Sequence, residues 1–257
     1  MVANIALVLQ MVVNGCVMKS ANFSKVEKLI IFLHGSSGRG EDFRGVCDAF
    51  FAPKIDNAIF LMPNGVEKIS DNTWGWWREI KNDSVEKRAG LDGIRETVCG
   101  YIRQMVAEYD CADVNLVGFS QGVRVAFEMM YLSKISKIVA YCGGFSRPSG
   151  NPPFVSKPEV LQIHSDDDPV VKYADAVQAR KDLRKFGVPA ELVTHHNVGH
   201  GVSEEGWKIG TAFLSGERKL KKPGLLRRLF CRKAKSGGAN ILTLSSKNKE
   251  ERRNVVP

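Results

Sequence analysis

The sequence has no apolar run of the roughly 18 to 20 residues that a membrane-spanning helix needs. Its most apolar stretch, the leading "MVANIALVLQMVVNGCVMKS", is interrupted by asparagine and glutamine. That stretch also lacks the basic n-region of a secretory signal, so residues 1–25 read as an apolar extension or an extra leading strand. Internal repeats are absent, which excludes a solenoid or propeller. None of the six cysteines (Cys16, Cys47, Cys99, Cys111, Cys142 and Cys231) stands in a C-x-x-C pair. Neither a zinc ribbon nor a disulfide framework is therefore expected. Cys47, Cys99 and Cys142 fall in apolar stretches and read as small core residues of a protein from a reducing cytoplasm.

Residues 1–216 also lack an excess of basic charge. The chain's net charge is +9, yet 13 of its lysines and arginines lie between Glu217 and Pro257 against three acidic residues. The body is thus slightly negative, and any anionic partner concerns the tail alone. Within 217–235, Leu225, Leu226, Leu229 and Phe230 recur at helical spacing, with Arg227, Arg228, Arg232 and Lys233 mainly on the other face. This reads as a short amphipathic helix suited to peripheral contact with an anionic membrane, set against the plainer reading of a solvated tail. Phe230 is its only aromatic residue, so nucleic acid is not an expected partner.

What is present is a regular alternation. Six short runs rich in Val, Ile and Leu begin with "LIIFLHG" at 29–35 and "AIFLMP" at 58–63. They continue with "VNLVGFS" at 114–120, "KIVAYCGG" at 137–144, "EVLQIHS" at 159–165 and "AELVTHH" at 190–196. Near-continuous apolar runs mark strands covered on both faces. Helical periodicity fills 92–109, 121–133, 172–187 and 202–215, with Asp92 as an N-cap and Gly187 as a stop. The fold class is α/β: a mostly parallel central sheet with helices on both faces, in which functional groups gather at the carboxyl ends of the strands. It spans 26–216, between the extension and the basic tail 217–257.

One strand runs into "GFSQG", Gly118 to Gly122. A G-x-S-x-G stretch between strand and helix forces a tight turn that presents the hydroxyl of Ser120. Serine is a weak nucleophile and needs a base, and the base needs an orienting acid. Both follow in the order this architecture requires, each just past a strand. "VLQIHS" runs into "DDDPVV", where Asp168 is the favoured acid, and "ELVTHH" runs into "NVGHG", where His200 is the base. Taken alone, Asp168-Pro169 also suits a helix N-cap. His196 and His200 stand four apart, as a metal pair would, but on a glycine-containing loop with no third ligand, so no metal is expected. An oxyanion hole would draw one backbone N–H from Gln121 and one from Ser36, in the loop "HGSSGRGEDF" after the first strand.

Together "LHGSSGRGEDF", "GFSQG", "HSDDDPVV" and "VGHGVSEE" resemble the phospholipase/carboxylesterase family of α/β-hydrolases, which includes the acyl-protein thioesterases. The resemblance covers about residues 26–215. It implies a serine hydrolase without cofactor, acting on small carboxylic esters, lysophospholipids or acylated proteins. It places the triad on Ser120, Asp168 and His200, because the family's acid immediately precedes the proline of this loop, and the oxyanion amides on Ser36 and Gln121. The stretch "WGWWREI" is similar to the family's aromatic segment before a substrate loop, so Trp74, Trp76 and Trp77 are expected to line an acyl groove; Arg78 replaces the family's acid there. Ser37 stands where the family often has glycine. The rival reading, a non-catalytic hydrolase-fold protein that binds lipid or a partner, calls for a lost triad member, and this sequence retains all three.

Overall fold

The computed structural model describes residues 15–77, 100, 107–109, 111–131, 134–145 and 153–221. Its frame is a seven-stranded sheet in the order β1-β3-β2-β6-β7-β8-β9. The strands are β1 (Cys16–Lys19), β2 (Lys28–Leu33), β3 (Ala58–Met62), β6 (Asp113–Phe119), β7 (Lys137–Tyr141), β8 (Glu159–Ser165) and β9 (Ala190–His195). All neighbours pair parallel except β1, which runs antiparallel to β3 with Cys16 opposite Met62. Six of the seven are the runs read from the sequence. The seventh, β1, lies inside the stretch assigned to the extension, so the sheet begins before residue 26. A separate hairpin, β4 (Glu67–Ser70) with β5 (Thr73–Gly75), was not anticipated. Its two strands have four and three residues and only one buried position, so it offers no apolar run to detect.

The continuous apolar character of β2 follows from its two covered faces. Leu29, Ile31 and Leu33 join one core cluster, while Ile30 and Phe32 join the other. The first cluster takes in Val123, Val125 and Phe127 of α1 (Gln121–Glu128) and Leu183 of α2 (Tyr173–Lys185). The second takes in Phe213 and Leu214 of α3 (Glu204–Ser215), together with Phe43, Cys47 and Phe51 from an irregular helical segment over 40–51. Ser203 caps α3 by accepting from Gly206 N, and Gly216 ends it at φ 93°. Gly187 follows α2 at φ 79°, the expected stop.

Arg218 donates to Glu191 Oε1 at 2.7 Å, and Leu220 packs against the second core cluster, so both belong to the body. Most of the helix expected over 92–109, with Asp92 and Cys99, lies outside the described residues, as do Arg78 and the tail beyond 221. Among the described residues, no helix is long and apolar enough to cross a membrane.

Candidate active site

Five neighbouring strand ends converge on one edge of the sheet. β6 delivers Ser120, β8 leads to Asp168 and β9 to His200, while β2 and β7 supply His34 to Gly38 and Cys142. Ser120 sits at the elbow with φ 51° and ψ −113°, a conformation that costs free energy and persists only when the surroundings enforce it. Its N–H donates to Tyr141 O on β7 at 2.9 Å, and its carbonyl accepts from Val123 N at 3.1 Å.

The three residues assigned from sequence meet in a line. Ser120 Oγ lies 3.0 Å from His200 Nε2. His200 Nδ1 lies 2.8 Å from Asp168 Oδ2 and 3.0 Å from Oδ1. Facing a carboxylate, Nδ1 carries the hydrogen and leaves Nε2 free to accept from the serine. The Asp168 side chain is fully buried, whereas His200 keeps some exposure. Burial pushes the Asp168 carboxyl up. Hydrogen bonds from His200 and the amides of Val171 and Val170 more than offset this, and its pKa lies below the ordinary 3.8. The helix-capping role weighed for Asp168 is not taken up, because α2 is capped at Lys172; Oδ1 instead accepts from the turn amides Val170 N at 2.8 Å and Val171 N at 3.0 Å.

Each of the three consecutive aspartates holds a different part of the histidine loop. Asp166 bonds exposed His196 at 2.6 Å. Asp167 accepts from Gly199 N at 3.0 Å, Val198 N at 3.3 Å and the Ser165 hydroxyl. The Ser165 hydrogen bond, then the Gly199 amide, holds the Asp167 carboxyl below its ordinary value. His196 and His200 therefore turn to different carboxylates. Cys142 is buried as expected, but it also stands beside the triad. Its Sγ lies within 4.8 Å of ligand atoms of Asp168 and His200 and donates to Gly201 O at 3.0 Å. Burial, with Asp168 nearby, pushes this thiol up to about 12, so it remains a neutral donor.

The loop after β2 is set by His34, a residue read from sequence only as part of its motif. His34 Nε2 accepts from Gly65 N at 2.8 Å, so Nδ1 carries the hydrogen and donates to Gly35 O at 2.6 Å. Gly38 N also reaches Gly35 O, at 3.2 Å. In a trans peptide the N–H points opposite to the carbonyl, so these donors turn the Ser36 N–H away from His34. The loop lies against the elbow: a Cβ on Gly35 would stand 3.3 Å from Ser120 Cβ. Ser37 takes φ 58°, a left-handed conformation that explains why a glycine suits that position. Gln121 opens α1, where the first amides have no partner within the helix. Its side chain accepts from Trp76 N at 2.8 Å and donates to Trp77 O at 3.2 Å, fixing that segment beside the elbow.

One cavity is lined by the serine itself, and a second reaches the elbow through Phe119. The larger, about 560 Å³, is lined by Trp77, Ser120, Arg124, Phe145, Val170 and Asp175 among others. The smaller, about 270 Å³, is lined by Ser36, Phe43, Val46, Phe119, Val202 and Trp207 among others. The three tryptophans expected to line a groove part company. Trp77 does line the larger cavity, but Trp74 and Trp76 line neither. Trp76 is fully buried, stacks on His34 at 5.0 Å and donates its indole N–H to His34 O at 2.7 Å. Trp74 sits in β5, and its N–H donates to Gly38 O at 2.9 Å. Trp76 thus satisfies its polar tip inside the core, while half-buried Trp74 is held through its backbone N–H.

Strand order, elbow and aligned side chains define an α/β-hydrolase of the serine type. The family model for phospholipase/carboxylesterase matches residues 15–216, and the chain belongs to that family. Its activity class is the hydrolysis of carboxylic esters. A relative of known name, esterase YpfH of Escherichia coli (strain K12), is 25% identical over 182 residues, covering 68% of this chain and 77% of its own. The crystal structure of esterase PE8 superposes with a TM-score of 0.70 at 25% identity, over 79% of this chain and 98% of that one. Zea mays acyl-protein thioesterase 2 shares the fold, with a TM-score of 0.61 at 16% identity, over 79% of this chain and 97% of that one.

Proposed function

We propose that the chain hydrolyses carboxylic esters or thioesters through an acyl-serine intermediate, with Ser120 as nucleophile, His200 as base and then acid, and Asp168 as orienting acid. The observation that carries this is the unbroken line from Ser120 Oγ through both nitrogens of His200 to a buried Asp168. His200 Nε2 takes the hydroxyl proton as Oγ attacks the carbonyl carbon. The backbone N–H groups of Ser36 and Gln121 receive the oxyanion, each such donor contributing about 3 kcal/mol in the transition state. The imidazolium then protonates the leaving alcohol or thiol. A water, deprotonated by the same nitrogen, releases the acid and restores Ser120.

The cavities support a division of the substrate. The smaller has mainly apolar walls in Phe43, Val46, Phe119, Val202 and Trp207, which suits an acyl chain. At about 270 Å³ it has about half the volume of its neighbour, which favours short acyl groups over palmitoyl. The larger carries Arg124, Asp175 and Gln178 and suits a polar leaving portion, with Trp77 as a contact. Lysophospholipids and acylated proteins are the larger substrates this reading admits. Free, buried Cys16, Cys47, Cys111 and Cys142 support a reducing, cytoplasmic setting.

The test is hydrolysis of p-nitrophenyl esters from butyrate to palmitate by wild type and Ser120→Ala. Wild type should turn over the short esters fastest. The variant should fold normally and lose at least about a thousandfold in kcat. Wild-type rates in the folded variant would sink the mechanism, and a preference for palmitate would overturn the cavity assignment.

A further inference from the structure

We propose that His164 is a positioning residue for this reaction, its Nε2–H fixing the angle of the Asp168 carboxylate from the buried side; the inference rests on the triad reading above. His164 closes β8 and is essentially fully buried, as is the carboxylate it meets. Its Nε2 lies 2.8 Å from Val171 O and 3.2 Å from Asp168 Oδ2. Both neighbours are acceptors, so this nitrogen carries a hydrogen and shares it between them. Val171 closes the circuit, because its N–H donates to Asp168 Oδ1 at 3.0 Å while its carbonyl receives from His164. Tyr173 packs edge-on to the His164 ring, with centroids 6.1 Å apart, and its hydroxyl bonds Thr194 Oγ1 on β9 at 2.5 Å. The imidazole is therefore held in its plane by α2 and β9 together.

The consequence for Asp168 is geometric. The terminal torsion of an aspartate is broad and roughly two-fold, so a carboxylate held at one oxygen can pivot. Oδ1 is held by two backbone amides, and Oδ2 is shared between His200 Nδ1 and His164 Nε2. Without the inner donor, Oδ2 has His200 as its side-chain partner, and the two swing as a unit. His200 Nε2 must stay aligned on Ser120 Oγ, and a displacement of about 1 Å can cost a hundredfold in rate. Asn and Gln separate this role from simple packing. The glutamine amide nitrogen can stand near the Nε2 position and keep both acceptors supplied, whereas the shorter asparagine amide cannot reach them.

The experiment compares full-length wild type, His164→Gln and His164→Asn in p-nitrophenyl butyrate hydrolysis, alongside the downfield proton resonance of His200 Nδ1–H. His164→Asn should lose about ten- to hundredfold in kcat with KM held within about twofold, and its Nδ1 proton should shift or broaden. His164→Gln should recover most of the kcat and keep the resonance. A folded His164→Asn with wild-type kcat and an unmoved resonance would overturn the proposal. Nitrogen NMR of wild type gives a second reading that needs no variant to fold. Nε2 of His164 should be the protonated nitrogen, and an unprotonated Nε2 would also overturn it. The resonance and tautomer measurements decide the role of His164 even if no ester is hydrolysed, so they fail separately from the triad reading.

Discussion

His34 shows how one buried side chain sets a reactive loop. Burial pushes its imidazole below the ordinary 6.5, against the smaller opposing effects of the Gly35 carbonyl and Asp42. The neutral ring is the form the site needs, because Nε2 must accept from Gly65 N while Nδ1 donates to Gly35 O. The unfolded chain binds a proton at the ordinary value, which the folded protein refuses until a lower pH. This contribution to stability is therefore fully present above about 6.5 and is lost as pH falls through the folded value. We expect the Tm of wild type to drop between pH 7 and pH 5. His34→Asn should be less stable throughout, by about 1–3 kcal/mol for the orphaned Gly65 amide, with a shallower dependence on pH in that window. Parallel Tm–pH curves for the two would refute this account. His34 was visible in the sequence as part of "LHG", and His164 as part of "LQIHS", but neither role was. Each depends on atoms brought together across a turn or a neighbouring strand, which periodicity does not encode. Asp168, by contrast, was singled out because it follows a strand and because the family that the sequence resembles places its acid just before the proline of this loop.

At the scale of elements, the elbow depends on close packing of α1 against β2. A Cβ at Gly122 would stand 2.0 Å from Leu33 O and 2.7 Å from His34 O, both backbone atoms. No rotamer change can relieve such a contact, so the helix start would have to move away from the loop that carries Ser36. Gly122→Ala should cost more than the about 1–3 kcal/mol typical of overpacking, read as a lowered urea midpoint. Gly45 is the matched comparison: it is exposed in the helical segment over 40–51, and a Cβ there would meet nothing within 4 Å. Gly45→Ala should gain about 0.5–1 kcal/mol. Equal midpoints for the two variants would mean that the elbow tolerates displacement. The same comparison marks what sequence patterning can reach. Long apolar strands and the helices between them were evident. The segment over 40–51 was not, because it passes from 3₁₀ through α to π geometry and has no single period. Strand β1 was ambiguous for a related reason, since four residues within a longer apolar stretch carry no boundary of their own.

The whole molecule divides by charge more sharply than by fold. Residues 217–257 hold 13 basic residues against three acidic ones, so the body has no electrostatic reason of its own to approach an anionic surface. Each lysine or arginine near such a surface contributes about 1 kcal/mol, screened beyond a Debye length of about 8–10 Å. Replacing Arg227, Arg228, Arg232 and Lys233 together by glutamine should therefore remove about 4 kcal/mol of attraction, close to a thousandfold in partition. In flotation with phosphatidylserine-containing vesicles, wild type should rise with the lipid at low salt and stay behind at high salt, while the four-residue variant stays behind in both. Hydrolysis of soluble p-nitrophenyl butyrate should be the same for the two proteins, because Ser120, Asp168 and His200 are unchanged in the variant. Flotation of the variant equal to wild type would assign membrane contact to apolar residues instead. A matched loss of soluble activity would mean that the tail acts on the catalytic body itself, a coupling that a purely electrostatic anchor does not allow.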